Sequence, residues 1–150
     1  MIKIIAEAGS VHDGSFGNAK KLIDLAVECE ADYIKFQTHI AETETIENAP
    51  RPSYFKDEDR FQYFKRTSFN FDQWSKLIKY CKTKKIEFMS SPFSIEALNL
   101  LIKLKVKNIK IASGEVNNLP LIDEISKYNN LNIFLSSGMS NWNDLDSAIN

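Results

Sequence analysis

The sequence predicts an α/β protein of order (βα)5, with parallel strands and helices covering the sheet. Two observations carry that reading. Short apolar runs alternate with longer stretches whose apolar residues recur at helical spacing. Units of this length also leave room for the right-handed crossovers that parallel strands require.

The first strand is expected over Ile2 to Ala6, followed by a helix from about Gly17 to Glu30 whose apolar face carries Ala19, Leu22, Ile23, Ala26 and Cys29. Tyr33 to Phe36 forms the second strand. A helix over Phe71 to Lys82 follows, with Asn70 as N-cap, Gln73 completing a capping box, and a stripe of Phe71, Trp74, Leu77, Ile78 and Cys81. Ile86 to Met89 is the third strand, and Ser94 opens a helix that turns Ile95, Leu98, Leu101 and Ile102 inward. Asn108 to Ile111 is the fourth strand. Pro120 stands near the start of the next helix, with Leu121, Ile122 and Ile125 on its face. Asn132 to Leu135 is the fifth strand, and Ser140 begins a last helix. The connection from His39 to Phe69 is too long for a simple loop, so it is expected to carry function or a short helix around Glu58 to Phe64. Its aromatic and basic residues, Tyr54, Phe55, Arg60, Phe61, Tyr63, Phe64, Lys65 and Arg66, either line a sugar or close as a lid, or else pack over the strand ends with their charges in water.

With 150 residues, 43% of them hydrophobic and 26% charged, one globular domain is expected. The net charge of −1 gives no general attraction for nucleic acid, so any anion site must be local. No secretory leader and no apolar stretch of membrane-spanning length is present, which predicts a cytoplasmic protein without a membrane partner. Cys29 and Cys81 are expected to be small core residues rather than a disulfide.

Two lysines stand out because each interrupts an apolar strand: Lys35 between Ile34 and Phe36, and Lys110 between Ile109 and Ile111. A buried ammonium is costly unless paired, so such lysines commonly hold an anion. Period-two alternation puts Lys35 and Gln37 on one face, with Ile34 and Phe36 turned toward helices. Glu7, Ser90, Ser91, Ser113, Ser136 and Ser137 also fall at the C-terminal ends of strands, the edge where parallel α/β folds bind ligands. Two cations within a ring of hydroxyls suit a small, doubly anionic ligand carrying carboxylate or phosphate. Glu7 is either a general acid or base or the neutralising partner of a lysine. His12 and His39 follow strand ends, but no pair of His, Cys or carboxylate residues has metal-ligand spacing.

Five segments together resemble the sialic acid synthase family, which includes N-acetylneuraminate, legionaminate and pseudaminate synthases. They are Ala6-Glu7-Ala8-Gly9 through His12-Asp13-Gly14, Lys35-Phe36-Gln37-Thr38-His39, Ser90-Ser91-Pro92-Phe93-Ser94, Lys110-Ile111-Ala112-Ser113-Gly114-Glu115 and Ser136-Ser137-Gly138-Met139. One departure is Val11 before His12, where the family often has Asn. The resemblance implies a TIM-type (β/α)8 barrel of which this chain supplies about the first five units. It also implies condensation of phosphoenolpyruvate with an N-acyl amino sugar such as N-acetylmannosamine, giving a nine-carbon 2-keto acid and phosphate.

On that resemblance Lys35, Ser91, Lys110, Ser113 and Ser136 hold phosphoenolpyruvate, while Glu7 and Gln37 approach the reacting centre and the sugar; Glu7, Lys35 and Lys110 are the catalytic candidates. A divalent metal, Mn2+ or Mg2+, is implied, with its histidine ligands on later strands beyond Asn150. A barrel of this kind needs about 250 residues, so the isolated chain is expected to be marginal, aggregation-prone or a homo-oligomer such as a dimer, and inactive. Two other readings fit a buried strand lysine: a Schiff-base aldolase, and a noncatalytic half-barrel that serves as a binding or assembly partner.

Overall fold

The computed structural model describes residues 2–50 and 58–150. Five strands form one parallel sheet in the sequential order β1 (Ile5–Gly9), β2 (Tyr33–Thr38), β3 (Glu87–Pro92), β4 (Asn108–Ile111) and β5 (Asn132–Leu135). The expected parallel order is therefore observed. β1 and β5 are the two edges of the sheet, so these strands alone do not close a barrel. The sheet is nevertheless strongly curved. The rings of Tyr33 on β2 and Phe134 on β5 meet edge to face at 6.1 Å, whereas strands three steps apart in a flat sheet lie about 14 Å from one another. That contact requires the sheet to curl toward the face that carries both rings.

The convex face is the apolar one. Ile34, Phe36, Phe88, Ile109 and Ile111 are buried there beneath α1 (Phe16–Glu28), α4 (Phe71–Lys84), α5 (Ile95–Lys103) and α6 (Leu119–Ser126). Its densest part is aromatic: Trp74 of α4 lies edge-on to Phe36, Phe69 and Phe88 with centroids 5.1–5.9 Å away. The chain is completed by α2 (Ala41–Glu44) and α3 (Arg60–Thr67) in the long connection, a 3-10 turn at Ser113–Glu115, and α7 (Trp142–Ile149).

Helix starts follow the local chemistry. The Asn70 side chain accepts from the Gln73 amide, and Gln73 accepts from the Asn70 amide in return, which completes the expected capping box. Ser15, Ser94 and Asn118 cap α1, α5 and α6 in the same manner. For α7 the cap is Asn141 rather than Ser140, because Asn141 and Asp144 form a second capping box.

Other expectations need correction. β1 begins at Ile5, not Ile2, because Asp32 binds the Ile4 amide at 2.8 Å while the amides of Asp32 and Tyr33 take the Ile4 carbonyl. Pairing with β2 starts only after that knot, and Glu7 consequently lies within the strand. Cys29 is exposed, since α1 ends at Glu28 and leaves it as the C-cap, whereas Cys81 is buried as expected. Tyr54 and Phe55 lie outside the described residues.

A repeat absent from the sequence appears at the helix-to-strand turns. Glu30, Lys85 and Lys105 all adopt left-handed φ values of 57–60°. In each case the next residue's amide reaches back five positions, Ala31 to Ala26, Ile86 to Cys81 and Val106 to Leu101, at 3.0–3.1 Å. These are Schellman turns, whose αL position glycine normally fills. Lys85→Gly and Lys105→Gly are therefore each expected to stabilise the protein by about 0.5–1 kcal/mol, read as a raised midpoint in urea; a lowered midpoint would contradict this account.

The long connection is tied down at both ends. Arg66 of α3 donates to Asp13 at 2.5 Å and to Glu58 at 2.8 Å, and the Arg66 carbonyl comes so near Gly14 that a Cβ there would meet it at 2.5 Å. Phe61 and Phe64 bury against Ala41, so these aromatics pack together while the flanking charges of Lys65 and Arg66 remain at the surface.

Candidate active site

The lysines that interrupt β2 and β4 lie on the same concave face. Register places Lys35 beside Met89, Asn108 and Asn132 in one row, and Gln37 beside Ser91 in the next row toward the strand ends. Lys110, two residues beyond Asn108 on β4, shares that face and is paired with Phe134. Ile34 and Phe36 point oppositely into the helical layer, as the alternation predicts.

Lys35 is only 5% exposed. Its ammonium forms an ion pair with Glu7, whose carboxylate stays half in water. A bulge between Glu7 and Gly9, with Gly9 at φ +51°, bends β1 at this point. The side chains of Glu7 and Gln37 both come within about 3.6 Å of where a Gly9 Cβ would stand, so these two polar groups share one space. Ser10, which sequence reasoning passed over, donates to Gln37 at 3.3 Å. Among the alternatives for Glu7, the observed contact is that of a neutralising partner.

Lys110 is half-buried, and burial holds its pKa below the ordinary lysine value; the neighbouring charge of Lys35 pushes the same way, and Glu7 opposes them. Both lysines and the carboxylate therefore sense one another electrostatically across the concavity. Ser91 is buried at the end of β3. Ser113 and the loop after β5 also converge, since a Cβ on Gly138 would stand 4.0 Å from that of Ser113. Ser136 is anchored on β4 through its amide, which donates to the Ile111 carbonyl at 3.1 Å. The result is an open trough with two ammoniums, one carboxylate, an amide and several hydroxyls along its upper edge. A separate polar cavity of about 510 Å³ on the rim is lined by Thr43, Glu44, Arg60, Ser94 and Glu115 among others, and it includes neither lysine.

Neither histidine joins the trough. His12 is 1% exposed, stacks on Phe69 at 4.4 Å and accepts the Gly14 amide at Nδ1. His39 is held between the rings of Phe64 and Phe93 at 3.9 and 4.2 Å, with Nδ1 bonded to Glu44 at 2.7 Å. Both are structural pins. Among the described residues no three His, Cys, Asp or Glu side chains come together as a metal site.

Burial pushes the pKa of His12 down to about 4, outweighing the attraction of Asp13, and His39 pushes it the same way. The unfolded imidazole titrates near 6.5. Folding is then supported by neutral His12 above pH 6.5, and that support is lost as pH falls toward 4, because the unfolded chain takes up the proton first. A loss of about 1–2 kcal/mol is expected between pH 7 and pH 5. His12→Gln should lack this component in urea titrations at the two pH values; an equal loss in the variant would refute the assignment.

Comparison with known proteins gives this geometry a lineage. A model of the NeuB family matches residues 22–150. The chain belongs to the NeuB family. It is 38% identical to N,N'-diacetyllegionaminic acid synthase of Campylobacter jejuni over 98% of this chain and 45% of that protein. The corresponding synthase of Legionella pneumophila is 35% identical over 97% of this chain and 42% of its own length. The crystal structure of N-acetylneuraminic acid synthetase from Leptospira borgpetersenii in complex with citrate superposes with a TM-score of 0.83 at 28% identity, covering 99% of this chain and 48% of that one. This NeuB-family chain thus spans less than half the length of the curated relatives it matches. The family resemblance read from the five segments is borne out, as is the α/β class with parallel strands.

Proposed function

We propose that this chain supplies the phosphoenolpyruvate-binding part of a sugar-acid synthase of the sialic acid type. The observation that carries the reading is the pair of lysines on one concave face, one of them buried with the half-exposed carboxylate of Glu7 as its partner among the described residues. Lys35 and Lys110 would receive the carboxylate and phosphate of the ligand, with Ser91, Ser113 and Ser136 donating to the remaining oxygens. Gln37 and Glu7 would face the incoming N-acyl amino sugar. In the reaction the enol carbon of phosphoenolpyruvate bonds to the sugar's aldehyde carbon, whose oxygen takes up a proton. Water adds at the adjacent carbon, and phosphate departs to leave the 2-keto acid. The chain's own contribution is to fix the anion and orient it. The divalent metal belongs to this proposal with ligands supplied from outside these residues, because the described ones do not form such a site. No helix among the described residues is long and apolar enough to cross a membrane.

The test is protection of lysine amines from acetic anhydride, read residue by residue by mass spectrometry. Phosphoenolpyruvate is expected to shield Lys35 and Lys110 but not the exposed Lys76; equal labelling at saturating ligand would reject the reading. One observation favours a second chemistry, since an amine held below its ordinary pKa, as Lys110 is, suits imine formation. Borohydride reduction with pyruvate separates the two: an adduct on Lys110 would establish the aldolase reading.

A further inference from the structure

We propose that Asn108 is a positioning residue that sets where Lys110 stands relative to Lys35. This rests on the reading of the two lysines as one anion site and assigns a role to the row of side chains that includes Lys35 and lies one pleat below Lys110. β4 is tied to β5 by four register pairs but to β3 by only two, Met89 with Asn108 and Ser90 with Ile109. The β3 pairing therefore stops one residue short of Lys110. The Asn108 side chain, 5% exposed, reinforces this short seam from both sides. Its Nδ2 donates to the Phe88 carbonyl at 3.1 Å and lies 3.4 Å from the Glu87 carboxylate, while its Oδ1 accepts from Asn132 Nδ2 at 2.9 Å.

The chain Glu87, Asn108, Asn132 thus crosses three strands on the concave face, one pleat below Lys110. A polar residue at a buried strand position is costly unless its hydrogen bonds are made, and here both ends of the amide are used. An apolar side chain would fill the space but could neither hold the Phe88 carbonyl nor reach Asn132. Without the brace, β4 is free to shift along β3, and a shift of even a fraction of a strand spacing separates the lysines by more than a bound anion tolerates. Asn108 touches neither reacting group. It acts through the strand that carries Lys110.

The test uses the ligand-free chain first, with lysines labelled at Cε and titrated by NMR, Lys110 being assigned with Lys110→Arg. In the parent, Lys110 titrates below its ordinary value. In Asn108→Ala it is expected to move up toward the ordinary lysine value as the amine loses burial and the proximity of Lys35. Asn132→Ala cuts only the β5 side at a more exposed position, and a smaller move in the same direction is expected. It also serves if Asn108→Ala does not fold. Ile23→Val, on the buried face of α1, controls for stability alone and should leave the Lys110 titration in place. Phosphoenolpyruvate affinity is expected to fall about tenfold in Asn108→Ala. An unmoved Lys110 titration in folded Asn108→Ala and Asn132→Ala overturns the positioning role. If the titration moves but the parent shows no affinity for phosphoenolpyruvate, positioning stands and the ligand assignment fails.

Discussion

Lys35→Met is expected to weaken phosphoenolpyruvate binding about 100-fold, a loss of about 2–3 kcal/mol, while raising the melting temperature of the ligand-free protein. The two effects have one cause. Lys35 is 5% exposed between apolar neighbours, and its ion-pair partner among the described residues, Glu7, remains half in water. Such a charge is incompletely compensated in the empty protein, and an anionic ligand completes the compensation. Methionine matches the lysine stem in length and flexibility, sits beside Met89 in the sheet row, and carries nothing to desolvate. Replacing a buried ion by a well-packed apolar residue is often stabilising by about 1–4 kcal/mol, and Glu7 can return to solvent. Calorimetric titration and a thermal melt on the same samples decide the matter. Retained affinity would remove Lys35 from the site, and a melting temperature lowered by several degrees would mean that the ion pair with Glu7 holds the fold.

Trp74→Ala is expected to cost about 4 kcal/mol, which is most of the stability of a domain whose total is about 5–15 kcal/mol. Trp74 is 1% exposed, and its ring is met by Phe36 from β2, Phe69 from the long connection and Phe88 from β3. Truncation opens a cavity at the point where three separate stretches of chain meet, and the rigid neighbouring rings cannot collapse into it. The variant should lose its near-UV circular dichroism and its cooperative melt. Fluorescence gives an internal check, since the chain has two tryptophans and the other, Trp142, is 82% exposed. The parent should show a blue-shifted component that Trp74→Phe removes while keeping the fold. A parent emitting only as solvated indole would contradict the packing.

The architecture was legible because helix and strand periods are local. The capping box at Asn70 and Gln73, the inward and outward faces of β2, and the gathering of polar residues at one edge all follow from spacing alone. What escaped depends on distant partners or broken conventions. The start of β1 is set by Asp32, 28 residues away. The clasp of His39 between Phe64 and Phe93 joins three segments with no shared pattern. The three left-handed turns were hidden because charged residues occupy the position that glycine would have flagged. Asn108 follows Lys107 at the very start of β4, so it lacked the apolar residues on both sides that drew attention to Lys110, and its role needed the partners on either side.

The order of the strands also has a kinetic reading. Contacts between β3 and β4 close a separation of 20 residues, those between β4 and β5 one of 24, and the link from the β1 loop to β2 one of 27. The contact of Ser90 with Phe36 across β2 and β3 spans 54, because the long connection intervenes. Closing that larger loop costs about 1 kcal/mol more in chain entropy than closing the shortest. Two half-sheets are therefore expected to assemble early and separately, β1 with β2 and β3 through β5, and to dock in a later step. Lys35 belongs to one half and Lys110 to the other. Affinity for a doubly charged anion would then emerge only with the final docking event, so that during refolding ligand capture should lag behind the recovery of helical signal.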